Sequence, residues 1–185
     1  MARHPTFGSP VFSMPARASG SGLVLRDESS HAKVVLKNLP ESARSRLQVG
    51  FGSSTVVMSV LVVGHRPDEW VLVGPGSAVD ALLESLPLGQ QTVSVDHTHA
   101  WLGFRLVGES SAAVMAKLCN LDLGDAMTPN GAAVLGVLAR INCDIVRADI
   151  VGCRGYLLMA DRSYGQYLFD ALLDAGDEFE IAVGE

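Results

Sequence analysis

Three short segments in the first half of the chain return in the second half, in the same order and with the same chemistry. Leu39-Pro40-Glu41-Ser42 is answered by Val107-Gly108-Glu109-Ser110, and Trp70-Val71-Leu72-Val73 by Tyr156-Leu157-Leu158-Met159. Asp80-Ala81-Leu82-Leu83-Glu84 is answered by Asp170-Ala171-Leu172-Leu173-Asp174. The first pair stands between strand-like and helix-like segments, the second has the length and apolarity of a buried strand, and the third carries a helical stripe. A duplicated β-β-α-β-β-α unit accounts for all three. Two such units, about residues 23–89 and 90–185, build one α+β domain whose helices cover mainly antiparallel sheets. Residues 1–22 precede it as an arm.

Local patterning fills in the elements. Leu23-Val24-Leu25 and Ala32 to Leu36 read as strands around the polar turn Asp27 to Ser30. A short helix follows from about Glu41 to Val49, with Pro40 tolerated in its first turn. Thr55 to Val63, rich in β-branched residues, reads as one strand, and Trp70 to Val73 as the next. Ser77 begins a helix with Val79, Leu82, Leu83 and Leu86 on one face and with Asp80 completing a capping box. In the second half, Val93 and Val95 alternate with polar neighbours, and Trp101 to Val107 is apolar enough to be buried on both faces. Ser110 caps a helix striped by Val114, Met115, Leu118 and Cys119, which ends in an acidic turn at Asp122. Ala132 to Leu138, Ile141 to Val146 and Gly155 to Met159 read as strands. The last helix has Ser163 as cap, Gln166 in its capping box, and Tyr167, Leu168, Ala171, Leu172 and Ala175 as its buried stripe. Gly176 stands at its C′ position.

Composition narrows the classes of function. A net charge of -6 lacks the basic face that phosphate neutralisation needs, which argues against a nucleic-acid partner. Apolar runs stay short of the ~20 residues of a membrane helix, no signal peptide opens the chain, and no membrane role is expected. Cys119, Cys143 and Cys153 are odd in number and lack any Cys-x-x-Cys spacing, which suits reduced thiols in a cytoplasmic protein. With 48% hydrophobic and only 18% charged residues, the chain has apolar surface to hide against another protein. Met1 to Gly22, rich in Pro, Ala, Ser, Gly and Arg, should not fold alone. It reads as a disordered leader, or as an arm that wraps a partner with Phe7, Val11, Phe12 and Met14 as anchors.

Candidate chemistry is sparse. Gly74-Pro75-Gly76-Ser77 has the glycines of a phosphate loop but neither its lysine nor its spacing, and a strand-to-helix turn explains it. Asp96, His97 and His99 offer two imidazoles and a carboxylate to a zinc or iron ion, or else form a polar turn that caps backbone groups. Asp122, between Leu121 and Leu123, either caps local amides after its helix or binds a nitrogen-rich ring system. Trp70 and Trp101 belong in the core. No catalytic constellation emerges.

Several segments resemble the gamma subunit of heterotetrameric sarcosine oxidase. They are Asp68-Glu69-Trp70 leading to Leu72-Val73-Gly74-Pro75, and Val95-Asp96 with Phe104-Arg105-Leu106-Val107-Gly108. Leu118-Cys119-Asn120-Leu121-Asp122-Leu123 and Arg162-Ser163-Tyr164, followed by Tyr167-Leu168 and Leu172-Leu173-Asp174-Ala175, extend the likeness from about Leu23 to Phe179. That subunit is similar in turn to the folate-binding domain of the glycine-cleavage T-protein, an aminomethyltransferase. The resemblance implies two intertwined halves and a non-catalytic subunit without a cofactor of its own. It implies large flavoprotein alpha and beta subunits and a small zinc-binding delta subunit as partners. FAD, FMN, NAD, tetrahydrofolate and zinc are then expected on those partners, in a cytoplasmic assembly that oxidises N-methyl amines such as sarcosine. The same resemblance places Asp122 where the T-protein's acidic residue approaches folate. The alternative it implies is a free-standing tetrahydrofolate-binding or aminomethyl-transfer protein that uses Asp122. The T-protein's further domains have no counterpart here.

Overall fold

The structure, a computed structural model, describes residues 8–11 and 22–184. Strands β1 (Val24–Asp27) and β2 (Ala32–Lys37) lead into helix α1 (Glu41–Leu47). Next come β3 (Ser54–Val57), β4 (Val60–Arg66), β5 (Glu69–Gly74) and α2 (Gly76–Ser85). The second half repeats this series as β6 (Val93–Asp96), β7 (Trp101–Val107), α3 (Ser111–Leu118), β8 (Ala133–Leu138), β9 (Ile141–Arg147), β10 (Gly155–Asp161) and α4 (Gly165–Gly176). A short strand, β11 (Ala182–Gly184), ends the described chain. The strands form a five-stranded sheet, β3-β4-β5-β2-β6, and a six-stranded sheet, β11-β1-β7-β10-β9-β8.

Each sheet therefore takes its first strand from the opposite half. β6 pairs antiparallel with β2, and β1 pairs antiparallel with β7. The crossings are built alike. Asp27 accepts from Ser29 N at 2.9 Å and Asp96 from Thr98 N at 2.8 Å, the local turn that aspartate favours two residues ahead of a donor. Glu28 N then donates to Gly103 O and His97 N to Lys33 O, both at 2.8 Å. The hydroxyls complete the match: Ser29 Oγ accepts from Gly103 N, and Thr98 Oγ1 from Lys33 N, both at 3.0 Å. Lys33 and Gly103 thus sit at corresponding places in the two crossings. The glycine leaves room for the lysine stem, since a Cβ there would lie 3.1 Å from Lys33 Cε.

Alternation along the strands sorts the core into three layers. Val34, Leu36, Val60, Val62, Trp70 and Leu72 face α1 and α2. Leu102, Phe104, Leu106, Tyr156 and Leu158 face α3 and α4. The residues between them in sequence, such as Val35, Leu61, Val63, Val71, Leu157 and Met159, meet between the two sheets. Helices outside and sheets inside follow from the period-2 patterning, because every central strand has two apolar faces to bury.

Several local expectations are corrected. The segment Thr55 to Val63 is two strands, because Met58 and Ser59 take positive φ (49° and 65°) and turn the chain into a β3–β4 hairpin. Ser77 does not cap α2; Pro75 precedes the helix, where its fixed φ suits the first turn. Ser110 precedes α3 without a side-chain capping bond, and it is Ser111 whose hydroxyl donates to Arg154 O. Before α4, Asp161 takes the capping role by accepting from Ser163 N, while Gln166 donates to Asp170 one turn on. Tyr167 is half exposed, and Phe169 and Leu173 join Leu168, Leu172 and Ala175 in the buried stripe. Gly176 stays right-handed, and the left-handed turn falls at Glu180 after a 3-10 turn. Of the N-terminal anchors, Phe7, Phe12 and Met14 lie outside the described residues. Val11 is buried in this chain's own core, with Ser9 donating to Asp27 and Arg162 to Gly8 O, so it is not left for a partner.

Candidate functional site

The layer between the sheets is apolar at its centre and ionic towards its ends. At one end, His65 follows Leu61 and Val63 on the inner face of β4 by strand alternation, beside a register shift between Gly64 and Arg66. Its Nδ1 lies 2.7 Å from Glu69 Oε1 on β5, and its Nε2 lies 2.8 Å from Asp144 Oδ1 on β9. Two carboxylates call for two N–H donors, so the ring sits as an imidazolium. The Asp144 hydrogen bond, joined by the pull of both carboxylates, raises its pKa against the opposing effect of burial. Burial pushes the Glu69 carboxyl up, yet hydrogen bonds from Lys37 and His65 outweigh it and hold the group below its usual range. His65 thereby ties the five-stranded sheet to the six-stranded one, with no lone pair left to act as a base.

At the other end, Arg105 on β7 grips Glu28 through Nε at 2.8 and 2.9 Å from the two carboxylate oxygens. Burial works against ionised Glu28, but bonds from His31 and Arg105 keep its pKa lowered. Beside this pair Lys33 is fully buried, its Nζ donating to Ser29 O and His31 O at 2.9 Å each. Desolvation brings its pKa down to about 8. The amine is sealed by backbone and faces neither cavity described below.

Two cavities flank His65. One, of about 500 Å³, is walled by Phe51, Val63, Pro67, Leu135 and Val146, and opens between β4 and β8. The other, of about 340 Å³, is lined by Trp101, Arg140, Asn142, Asp161 and Tyr164. They share His65, Arg66, Leu135 and Asp144, so the imidazolium bridge is the wall between them. An apolar chamber beside a polar one suits binding; neither places a nucleophile next to a free base.

The residues singled out in the sequence fall elsewhere. Asp122 is exposed on the loop between α3 and β8, where Oδ1 accepts from Gly124 N at 2.9 Å and its carbonyl accepts from Thr128 Oγ1 at 2.6 Å. It lines neither cavity, so folate held by this carboxylate would find no second wall from them. Asp96 anchors its own turn, and His97 stacks on Trp101 with centroids 4.6 Å apart. Among the described residues no three His, Cys, Asp or Glu side chains gather to hold a metal. Gly76 and Ser77 open α2 as a plain strand-to-helix turn. Trp70 is buried under Arg44, whereas Trp101 is only half buried and edges a cavity. The bridge itself went unread, although its signal was present. His65 and Asp144 each interrupt an apolar strand at a position whose neighbours two residues away, Val63 and Val146, face inward.

The fold is shared with a chain of heterotetrameric sarcosine oxidase from Corynebacterium sp. U-96, solved with pyrrole 2-carboxylate (TM-score 0.72, 20% identity). The match covers 91% of each chain, so the two are of nearly equal length. It is shared as well with the glycine cleavage aminomethyltransferase T of Bartonella henselae (TM-score 0.66, 16% identity). There the match takes in 88% of this chain but only 48% of the other, so this chain spans about half the length of that protein. No curated protein matches the sequence. Residues 51–184, most of both halves, match the family profile of the GCVT N-terminal domain, and the chain belongs to that family.

Proposed function

We propose that this chain is a non-catalytic, gamma-type subunit of a sarcosine oxidase-like flavoenzyme, working in the cytoplasm. The assembly would oxidatively demethylate N-methyl amines such as sarcosine. Its partners would be large flavoprotein alpha and beta subunits and a small zinc-binding delta subunit, with FAD, FMN, NAD, tetrahydrofolate and zinc held on those chains. The observation that carries the reading is the mutual 91% coverage with a chain of a heterotetrameric enzyme. The interior supports it. His65, Arg105 and Lys33 are each tied down by carboxylates or carbonyls within the fold.

The second reading, a tetrahydrofolate-binding protein that uses Asp122, has family membership in its favour. The placement of Asp122 in its own turn stands against it. One experiment separates the two. Calorimetric titration of the purified chain with tetrahydrofolate should give no heat of binding, and Asp122→Asn should change stability by no more than about 1 kcal/mol, the scale of a lost cap. Saturable binding abolished by that substitution would overturn the subunit reading in favour of the second.

A further inference from the structure

The two halves differ at one edge. In the six-stranded sheet the exchanged strand β1 is covered on its outer side by β11, which runs parallel to it with Val24 opposite Ala182 and Leu25 opposite Val183. Ala182 N donates to Leu23 O at 2.9 Å. In the five-stranded sheet the corresponding exchanged strand, β6, ends the sheet. No described strand corresponds to β11, because after α2 the chain runs directly into β6 itself.

The geometry of β6 defines what would fit there. His97 N points to Lys33 O, so Val93 and Val95 share that side and bond to β2, while Ser94 directs its N–H and C=O outward. Val95 lies opposite Val35, which faces the inter-sheet layer, yet Val93 and Val95 remain 46% and 38% exposed. All four residues of β6 are exposed. Outward backbone groups beside two uncovered valines are what an added strand requires: hydrogen bonds from the edge, and apolar contact on alternate side chains.

We infer that β6 receives an extended segment of a larger subunit of the assembly, laid parallel to it as β11 is laid on β1. The segment would present apolar side chains on alternate positions to Val93 and Val95. This inference rests on the subunit reading given above. Ser94→Pro removes an outward donor while leaving the bonds from β6 to β2 in place, a position where an edge strand tolerates proline.

The tagged full-length chain and its Ser94→Pro variant are each expressed in the native source, and co-purifying subunits are quantified. Amide exchange at Ser94 is followed in the wild-type complex and in the free chain. The inference predicts that the wild type recovers flavin-containing subunits and that the variant recovers at least tenfold less at unchanged melting temperature. It also predicts at least tenfold slower exchange at Ser94 in the complex. Equal recovery by the folded variant, or unchanged exchange at Ser94, would overturn the edge inference and leave the subunit reading standing. Recovery of no flavoprotein by the wild type would overturn both. Protection of Ser94 by a second copy of this chain would overturn the proposed partner. If the variant does not fold, exchange in the wild-type complex decides alone.

Discussion

Replacing Asp144 by asparagine should uncouple the two sheets in a pH-dependent way. The residue accepts from His65 Nε2 at 2.8 Å, and the imidazole is 7% exposed, so the bond is short, charge-assisted and shielded from water. Hydrogen bonds to charged groups contribute about 1.5–3 kcal/mol, and a chain of this size loses roughly 2–4 °C of melting temperature per kcal/mol. The variant should therefore melt about 3–12 °C lower at pH 6. The sign with pH follows from the raised pKa of His65. Stability from a raised base is complete below the unfolded value near 6.5 and is lost as pH climbs through the folded value. The groups around the ring are Glu69 and Asp144, with Arg66 and Lys37 acting on Glu69. All of these except Asp144 are common to both proteins, so the difference between wild type and variant isolates the bridge. Urea unfolding at intervals from pH 6 to pH 9 should show that difference shrinking towards zero. A difference that stays constant across the range would refute an imidazolium at His65.

Lys33 predicts the opposite slope in a different window. Its folded pKa of about 8 lies below the ordinary 10.5, so the unfolded chain holds more protons between those values and stability rises with pH there. Lys33→Met should abolish that rise, on the order of 3 kcal/mol in total for a group fully removed from water; parallel curves for the two proteins above pH 8 would contradict it. Gly165→Ala tests the N-terminal contact, because a Cβ there would stand 2.4 Å from Pro10 Cβ. Residues 8–11 should lift away from α4 and Val11, whose amide bonds Ser9 Oγ, should exchange at least tenfold faster; unchanged exchange would mean that the contact is not made.

The sequence disclosed the duplication because short matched segments fall on corresponding elements: Trp70 to Val73 on β5 and Tyr156 to Met159 on β10, with the Asp80 and Asp170 segments on α2 and α4. The resemblance implied that the halves intertwine, but local patterning did not disclose which strands are exchanged. β1 and β6 are four residues each, and their partners are chosen by tertiary pairing that no local pattern encodes. The β3–β4 hairpin was hidden for a related reason, since Met58 and Ser59 adopt positive φ without the Asn or Gly that usually announces such a turn. Capping residues misled where a nearby group took the role, as Asp161 does ahead of Ser163. The ionic bridge needs residues 79 positions apart, and only the folded chain brings His65 to Asp144. Asp122 drew attention by its apolar neighbours, yet only Leu123 of the two is buried, and the carboxylate turns outward.

The place proposed for this chain inside a larger flavoenzyme can be read by native mass spectrometry of the complexes that contain it, isolated from the source organism without overexpression. A gamma-type subunit should give a single dominant species in which one copy of this 19.5 kDa chain travels with larger flavin-carrying chains and with sarcosine-oxidising activity. A dominant signal from the chain alone, with the flavoprotein and the activity in a species that lacks it, would rule that place out.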